Sequence, residues 1–389
     1  MGAESDYNIL NGMVKMGWRV VHITPLDKGQ DPSEIFEGIK IIRIKNPFIY
    51  LQGTFVLQFL SQVMSWFLFN FRSLALIRRL SRNESFDLVY GHTALSGPAT
   101  YLVGRMYRIP SIIRLYGTFL YPCLGSCHRM LLNFQEIIGF RLPVTQLIVT
   151  NDGTQGDKVA KELGVPNKKL RFWRNGVDKQ MYNPDFDTNE FMKELGLDYK
   201  NRIVLAVSRL VSWKRLDRLV KAVPSIILQD RKVVFIVVGD GPERKALETL
   251  TQNLEVSQYI RFIGAVPHEN VADYMNAADI FVSVNDLSNV SNGLIEAMVC
   301  GKCIVTLDTG DTGELIKESK TGRLVRVGKE DEIVSELSKA ILDVLQDDYL
   351  RTRLGYNARI YAQEHFQTWE ERITMEIKQL EGLIAQNNR

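Results

Sequence analysis

Cysteine is scarce: Cys123, Cys127, Cys300 and Cys303 are the only four in 389 residues. So few exclude a secreted disulfide scaffold and fit a reducing compartment. Cys300-Gly-Lys-Cys303 has the C-x-x-C spacing of redox and zinc sites, but Cys123 and Cys127-His128 supply no matching ligand pair. The C-x-x-C block falls where a helix is expected to end at Gly301 and an apolar strand to begin at Ile304. All four cysteines are therefore read as packing residues, and neither a metal nor a cofactor is expected. The first eight residues also lack the apolar run that a signal peptide needs. A large excess of either charge is missing too, the formal net charge being +3. No nucleic-acid partner is expected, and the cytoplasm is the expected location.

What is present is ordinary globular composition, 45% hydrophobic and 24% charged residues. A chain of 389 residues exceeds what one core usually supports and predicts two or three domains. The halves differ in charge. Residues 1–178 hold 21 Lys and Arg against 13 Asp and Glu, a balance of +8, and the remainder holds 27 against 32, a balance of −5. A basic first half suits an anionic surface or a phosphate-bearing acceptor, although scattered solvated charge reads equally well.

Strand-like runs at 19–24, 39–45, 87–90, 111–115, 146–150 and 170–173 alternate with helical stretches such as 97–107 and 154–163. The pattern restarts with RIVLAVSRL at Arg202 and KVVFIVVGDGP at Lys232, and strands follow near Ile260, Ile280, Cys303 and Gly322. Such alternation predicts parallel sheets covered by helices on both faces. Residues 179–199, polar and carrying Pro184, Asp185 and Asp187, read as a linker between domains, and 349–386 read as a helical tail. The segment 54–77 is unusually apolar, with Gln58, Ser61, Gln62, Ser65 and Arg72 at roughly helical spacing and Arg78, Arg79 and Arg82 following. Polar residues recurring every turn argue against a membrane span. A core helix fits, and so does an amphipathic helix lying among lipid headgroups.

Four blocks in order, SRLVSWKRLDRLVKA around Arg209, IVVGDGPERKALE from Ile236, RFIGAV from Arg261 and NGLIEAMVCGKCIV from Asn292, resemble the donor half of the retaining glycosyltransferases of family 4. With NGVD at Asn175 to Asp178, the resemblance reaches nearly the whole chain. It implies a GT-B architecture, two Rossmann-like domains facing across a cleft: an acceptor domain at 1–178, a nucleotide-sugar domain at 179–365, and a terminal helix at 366–389 returning to the first. Such a fold normally opens with a buried strand before a glycine-rich turn. Here Met1-Gly2-Ala3-Glu4 already looks like the turn, so that strand is expected to be missing and the sheet to carry a gap. An incomplete N-terminus or a misplaced start codon would explain it.

The chemistry implied is transfer of a hexose or N-acetylhexosamine from a UDP- or GDP-linked sugar to a hydroxyl acceptor. Charge growing on the departing diphosphate needs a metal or fixed cations. Arg209 and Lys214, at a strand's carboxyl end, match the family's cations. Gly2, Gly264 and Val266 fall on the donor side. Asn289, Val290, Ser291, Asn292 and Gly293 fit the loop whose amides bind sugar and phosphate, and Glu296 is the glutamate that takes the ribose hydroxyls. Two departures stand out. Ser288 replaces a glutamate that touches the sugar, with Asp286 as the nearest stand-in. Tyr116 occupies a position commonly held by histidine, and His92 is a second acceptor-side candidate. Tyrosine is a poor base near neutral pH. In front-face retention the leaving phosphate takes the acceptor proton, so a protein base is dispensable. A lipid-linked or growing cell-surface glycan acceptor is expected, with peripheral contact on the inner face of the plasma membrane. A noncatalytic nucleotide-sugar-binding protein and an epimerase of similar fold are the alternatives, separable by turnover on an acceptor.

Overall fold

The computed structural model describes residues 4–27, 29–46 and 55–387. It divides into two compact units, residues 1–176 with 369–389, and residues 177–368. The chain passes between them twice, at Gly176–Val177 and at Thr368–Trp369.

Unit 1 holds two sheets. β1 (Val21–Pro25) and β3 (Ile39–Ile44) run parallel, and β2 (Ser33–Phe36) pairs antiparallel with β3. The second sheet is wholly parallel, in the order β4 (Val89–His92), β5 (Ser111–Leu115), β6 (Gln146–Thr150), β7 (Leu170–Trp173). β5 and β6 are buried at every position, including Arg114 in β5, and their centres, Ile112-Ile113 and Leu147-Ile148-Val149, are apolar on both faces. β1 and β4 do not pair. A cavity of about 850 Å³ lies between them, lined by both strands and by the helices Glu4–Lys15, Phe55–Leu80 and Gly97–Tyr107. The expected gap in the sheet is at this place. The helix Trp369–Asn387 belongs to this unit, packing Ile373, Ile377 and Leu380 with Ile9 and Met13. The tail is thus two helices, Asp348–His365 in unit 2 and Trp369–Asn387 in unit 1, with Phe366 extended between them.

The helix Phe55–Leu80 is turned with its small polar residues inward. Ser61, Ser65, Asn70 and Ser73 are buried with Trp66 and Phe69, whereas Leu57, Leu60, Met64, Phe67 and Phe71 are each more than half exposed. Ser65 and Asn70 have partners on this face, whereas the Ser73 hydroxyl is buried without one among the described residues. Asn46 Nδ2 donates to Ser65 Oγ at 2.8 Å, and Asn70 accepts from the Ala99 amide at 2.8 Å while donating to the Leu95 carbonyl at 2.8 Å. Among the described residues no helix is long and apolar enough to cross a membrane.

Unit 2 is a six-stranded parallel sheet ordered β10 (Ile260–Gly264), β9 (Val233–Val238), β8 (Arg202–Val207), β11 (Ile280–Ser283), β12 (Cys303–Leu307), β13 (Arg323–Val325). Cores on its two faces are built around the helices Leu216–Ile227 and Glu330–Gln346 and around Asn292–Val299 and Asp348–His365. The stretch 179–199 is no free linker. It contains the helix Thr188–Glu194, and Met181 and Met192 are buried in this unit's core.

Candidate active site

Strand order in unit 2 reverses direction between β8 and β11, and at such a switch point the loops beyond the strands part to leave a crevice. The residues singled out above follow these strand ends. Arg209 lies exposed two residues beyond β8, and Lys214 closes the short turn Ser212–Lys214 that leads into the helix Leu216–Ile227. The Lys214 amide donates to the Val211 carbonyl at 2.9 Å, and its ammonium sits 4.2 Å from the centre of the Trp213 ring. The neighbouring loop packs backbone to backbone against this turn. Gly239 has φ +132°, and a Cβ there would fall 1.9 Å from the Ser208 carbonyl oxygen, so no other residue fits. The Leu210 amide donates to the Asp240 carbonyl at 2.9 Å, and the Gly239 amide donates to the Gly264 carbonyl at 2.8 Å. Val266, half-buried, packs on the core of the same unit.

Across the switch point, the loop after β11 is held from within by Asn289, which is fully buried. Its Oδ1 accepts from Ser283 Oγ at 2.7 Å and the Asn285 amide at 2.8 Å, and its Nδ2 donates to the Leu307 carbonyl at 3.1 Å. The Asn289 amide donates to Thr312 Oγ1 at 2.9 Å. Ser288 Oγ accepts from the Val290 amide at 3.1 Å and so shapes the loop. Ser291 caps the helix Asn292–Val299, its side chain accepting from the Leu294 amide. Gly293 sits in the first turn, close to the Val207 carbonyl, and the Glu296 side chain is buried in the second. Asp286, the expected stand-in at the serine position, is otherwise engaged: its carboxylate lies 2.8 Å from Arg218 and 3.4 Å from Arg215. Gly2 lies outside the described residues.

In unit 1, His92 and Tyr116 come together, and Asp6 joins them. His92 Nδ1 is 2.9 Å from the Tyr116 hydroxyl and 3.0 Å from Asp6 Oδ1. Burial pushes the Tyr116 hydroxyl well above its usual range, so it stays neutral. Burial would raise Asp6 as well, but the hydrogen bond and charge of His92 outweigh it and keep the carboxylate below its ordinary value. His22, packed edge-on to His92, is driven down to about 4 by burial and is uncharged at neutral pH.

Two family profiles match the chain in succession: "Glycosyltransferase Family 4" over residues 7–180 and "Glycosyl transferases group 1" over residues 187–361. Between them they span both units. The chain belongs to the family 4 type of group 1 glycosyltransferases. It is 26% identical over 293 residues to the N-acetyl-alpha-D-glucosaminyl L-malate synthase of Bacillus anthracis, a match covering 74% of this chain and 73% of that protein. It is 27% identical over 250 residues to the GDP-mannose-dependent alpha-(1-6)-phosphatidylinositol monomannoside mannosyltransferase of Mycolicibacterium smegmatis, over 59% of this chain and 64% of the relative. The crystal structure of Anabaena HepE in complex with UDP and glucose superposes with TM-score 0.72 at 19% identity, covering 97% of this chain and 95% of that one. The glycosyltransferase therefore has the GT-B fold.

Within this glycosyltransferase, Cys300 and Cys303 are buried core residues whose thiols burial pushes up to about 12, which keeps them protonated and inert. Sequence reasoning passed over Asp6 and Arg218. Asp6 sits in a helix without a motif of its own, and Arg218 reads as one more charge in KRLDR until the fold buries it.

Proposed function

We propose that this glycosyltransferase works with retention, moving a hexose or N-acetylhexosamine from a UDP- or GDP-linked donor to a hydroxyl acceptor, without a metal. The observation that carries the reading is the placing of Arg209 and Lys214 at the β8 end of the switch point, beside a loop and helix start bearing Glu296. In this reading the bond from the sugar's anomeric carbon to the diphosphate oxygen breaks, and both cations meet the charge that grows there. The acceptor oxygen bonds to the same carbon from the same face and passes its proton to the departing phosphate. The amides of Asn289, Val290 and Ser291 are taken up within the protein by Thr312, Ser288 and the Asn289 carbonyl, so the sugar and phosphate are held by the amides at the start of the helix Asn292–Val299, and Glu296 accepts from the ribose hydroxyls. On the acceptor side stand His92, Tyr116 and Asp6. Relatives named for UDP, GDP-mannose and N-acetylglucosaminyl substrates support a nucleotide-sugar donor. Donor hydrolysis and transfer, followed for UDP- and GDP-sugars in EDTA, test the proposal. Turnover in EDTA is expected; complete loss restored by Mg²⁺ or Mn²⁺ would replace the fixed-cation mechanism, and nucleotide binding without any turnover would favour a noncatalytic protein.

Glu296→Ala is expected to weaken nucleotide binding by about 1.5–3 kcal/mol, the worth of a carboxylate accepting from paired hydroxyls. The loss should be the same for free nucleoside diphosphate as for donor, since both carry the ribose. Calorimetry showing unchanged affinity for the free nucleotide would remove Glu296 from this role.

A lipid-linked acceptor or growing surface glycan, reached from the cytoplasmic face of the membrane, is the second part of the proposal. Its support is the outward row Leu57, Leu60, Met64, Phe67 and Phe71, which continues toward exposed Arg78, Arg79 and Arg82. Apolar side chains entering the headgroup region, with arginines on anionic lipid, give binding that weakens with salt. Co-sedimentation with anionic vesicles is expected at low salt, reduced at high salt and abolished in a Phe67→Glu, Phe71→Glu variant. Negligible binding in all conditions would leave a soluble acceptor as the reading.

A further inference from the structure

We propose that Glu330, outside every motif of the family resemblance, is the positioning residue that sets the donor-binding loop against the cation-bearing turn. The proposal rests on the donor-site reading above. Glu330 opens the helix Glu330–Gln346, and its carboxylate holds two guanidinium groups together. Arg215 reaches it at 2.8 and 2.7 Å, a two-pronged contact, and Arg218 reaches it at 2.6 and 3.1 Å. These bonds, Arg218's first, hold the Glu330 carboxyl down at about 2, so it is ionised throughout the physiological range.

The two arginines face different parts of the site. Arg218, nearly buried, donates to the Val284 carbonyl at 3.1 Å and pairs with Asp286 at 2.8 Å, so it grips the start of the loop that ends in Asn289. Arg215 follows Lys214 directly and is in the left-handed region, with φ +50°, a conformation that a non-glycine residue holds only where its surroundings impose it. Its guanidinium is fastened by Asp217 as well as Glu330. The turn and the loop also touch directly, the Asp286 amide donating to the Trp213 carbonyl at 3.1 Å. One carboxylate thus fixes both sides of a junction, with Lys214 on one side and the donor amides on the other. Like charges on Arg215 and Arg218 would repel without it.

The side chain of Glu330 is 48% exposed, so its replacement does not open the core. Glu330→Gln, in the full chain, is expected to speed hydrogen exchange of the Asp286 amide and its loop about tenfold, with amides of the β8 and β9 core unchanged. For UDP and GDP the dissociation constant is expected to rise about tenfold, and the donor KM with it, while kcat falls less, because misplacement of the loop and Lys214 weakens the grip on the diphosphate. Glu330→Asp should recover part of the loss. A Glu330→Gln, Asp286→Asn double variant should lose less than the two single losses combined, since both act through Arg218. Unchanged exchange in the loop overturns the proposal, as does exchange that rises uniformly through unit 2 together with a fall in melting temperature. If the parent binds neither nucleotide, the donor-site reading fails, and the exchange experiment still decides the role of Glu330.

Discussion

Replacing Arg209 or Lys214 by alanine is expected to lower kcat/KM by about 3 kcal/mol in the barrier, roughly 150-fold, with the fold intact. Neither side chain belongs to the core, Arg209 being exposed and Lys214 half-buried, so the loss should not be traceable to stability. The expected size reflects the reaction. The diphosphate gains charge as the glycosidic bond breaks, and a cation fixed before the event needs no reorganisation at that moment. Arg209→Lys should fall between parent and alanine variant, keeping the charge but losing the planar fork. Steady-state kinetics at saturating acceptor, beside thermal unfolding of each variant, provides the check. Near-parental turnover in the alanine variant of either residue would remove it from the mechanism.

Glu376→Ala is expected to be the most damaging change to stability, about 3–5 kcal/mol, because it leaves two buried guanidinium groups without a counter-charge. Glu376 and Arg114 are fully buried, and their ion pair is 2.7 Å long. Arg372 approaches the same carboxylate at 2.9 Å, and the Tyr90 hydroxyl donates to it. The group ties β4 and β5 to the helix Trp369–Asn387, whose Arg372 also donates to the Arg174 carbonyl at 3.0 Å. Burial alone would raise the Glu376 carboxyl, but the charges of Arg114 and Arg372 outweigh it and hold it below its ordinary value. A depressed carboxyl contributes stability that is complete above the unfolded value, about 4.3, and is lost as pH falls through the folded value. The parent's advantage over Glu376→Gln should therefore shrink only in acid, below about pH 4. Urea unfolding followed by tryptophan fluorescence suits the measurement, since Trp18, Trp66, Trp173 and Trp369 lie in unit 1 and only Trp213 in unit 2. Equal stability of parent and alanine variant at pH 7 would refute the expectation.

Some elements were legible down to the residue and others were not. The runs at 111–115, 146–150 and 170–173 are strands with those bounds, and 97–107 is a helix with those bounds. Each of these strands has a short apolar or aromatic centre, and polar or turn-forming residues on either side end the run sharply. The first strand starts at Val21 rather than Arg19, whose side chain instead lies near Glu84 at the surface. The polar look of 179–199 concealed Met181 and Met192, two buried anchors spaced too widely to register as a pattern.

The order of motifs was enough to set the class of protein and the strand ends on which the residues proposed for the donor side stand, because backbone turns, apolar runs and cations at strand ends are local properties. Which way the helix Phe55–Leu80 turns was beyond that reading. A helix apolar over most of its circumference has no decisive face, and its orientation was settled by hydrogen-bond partners far along the chain, Asn46, Leu95 and Ala99. The same holds for Asp286. Its spacing made it a substitute for the absent glutamate, and only the folding of Arg215, Arg218 and Glu330 around one point gave its carboxylate a different partner. Charge pairing across 68 to 115 positions of sequence, from Arg218–Asp286 to Arg215–Glu330, leaves no periodic trace, so the tertiary structure alone decided it.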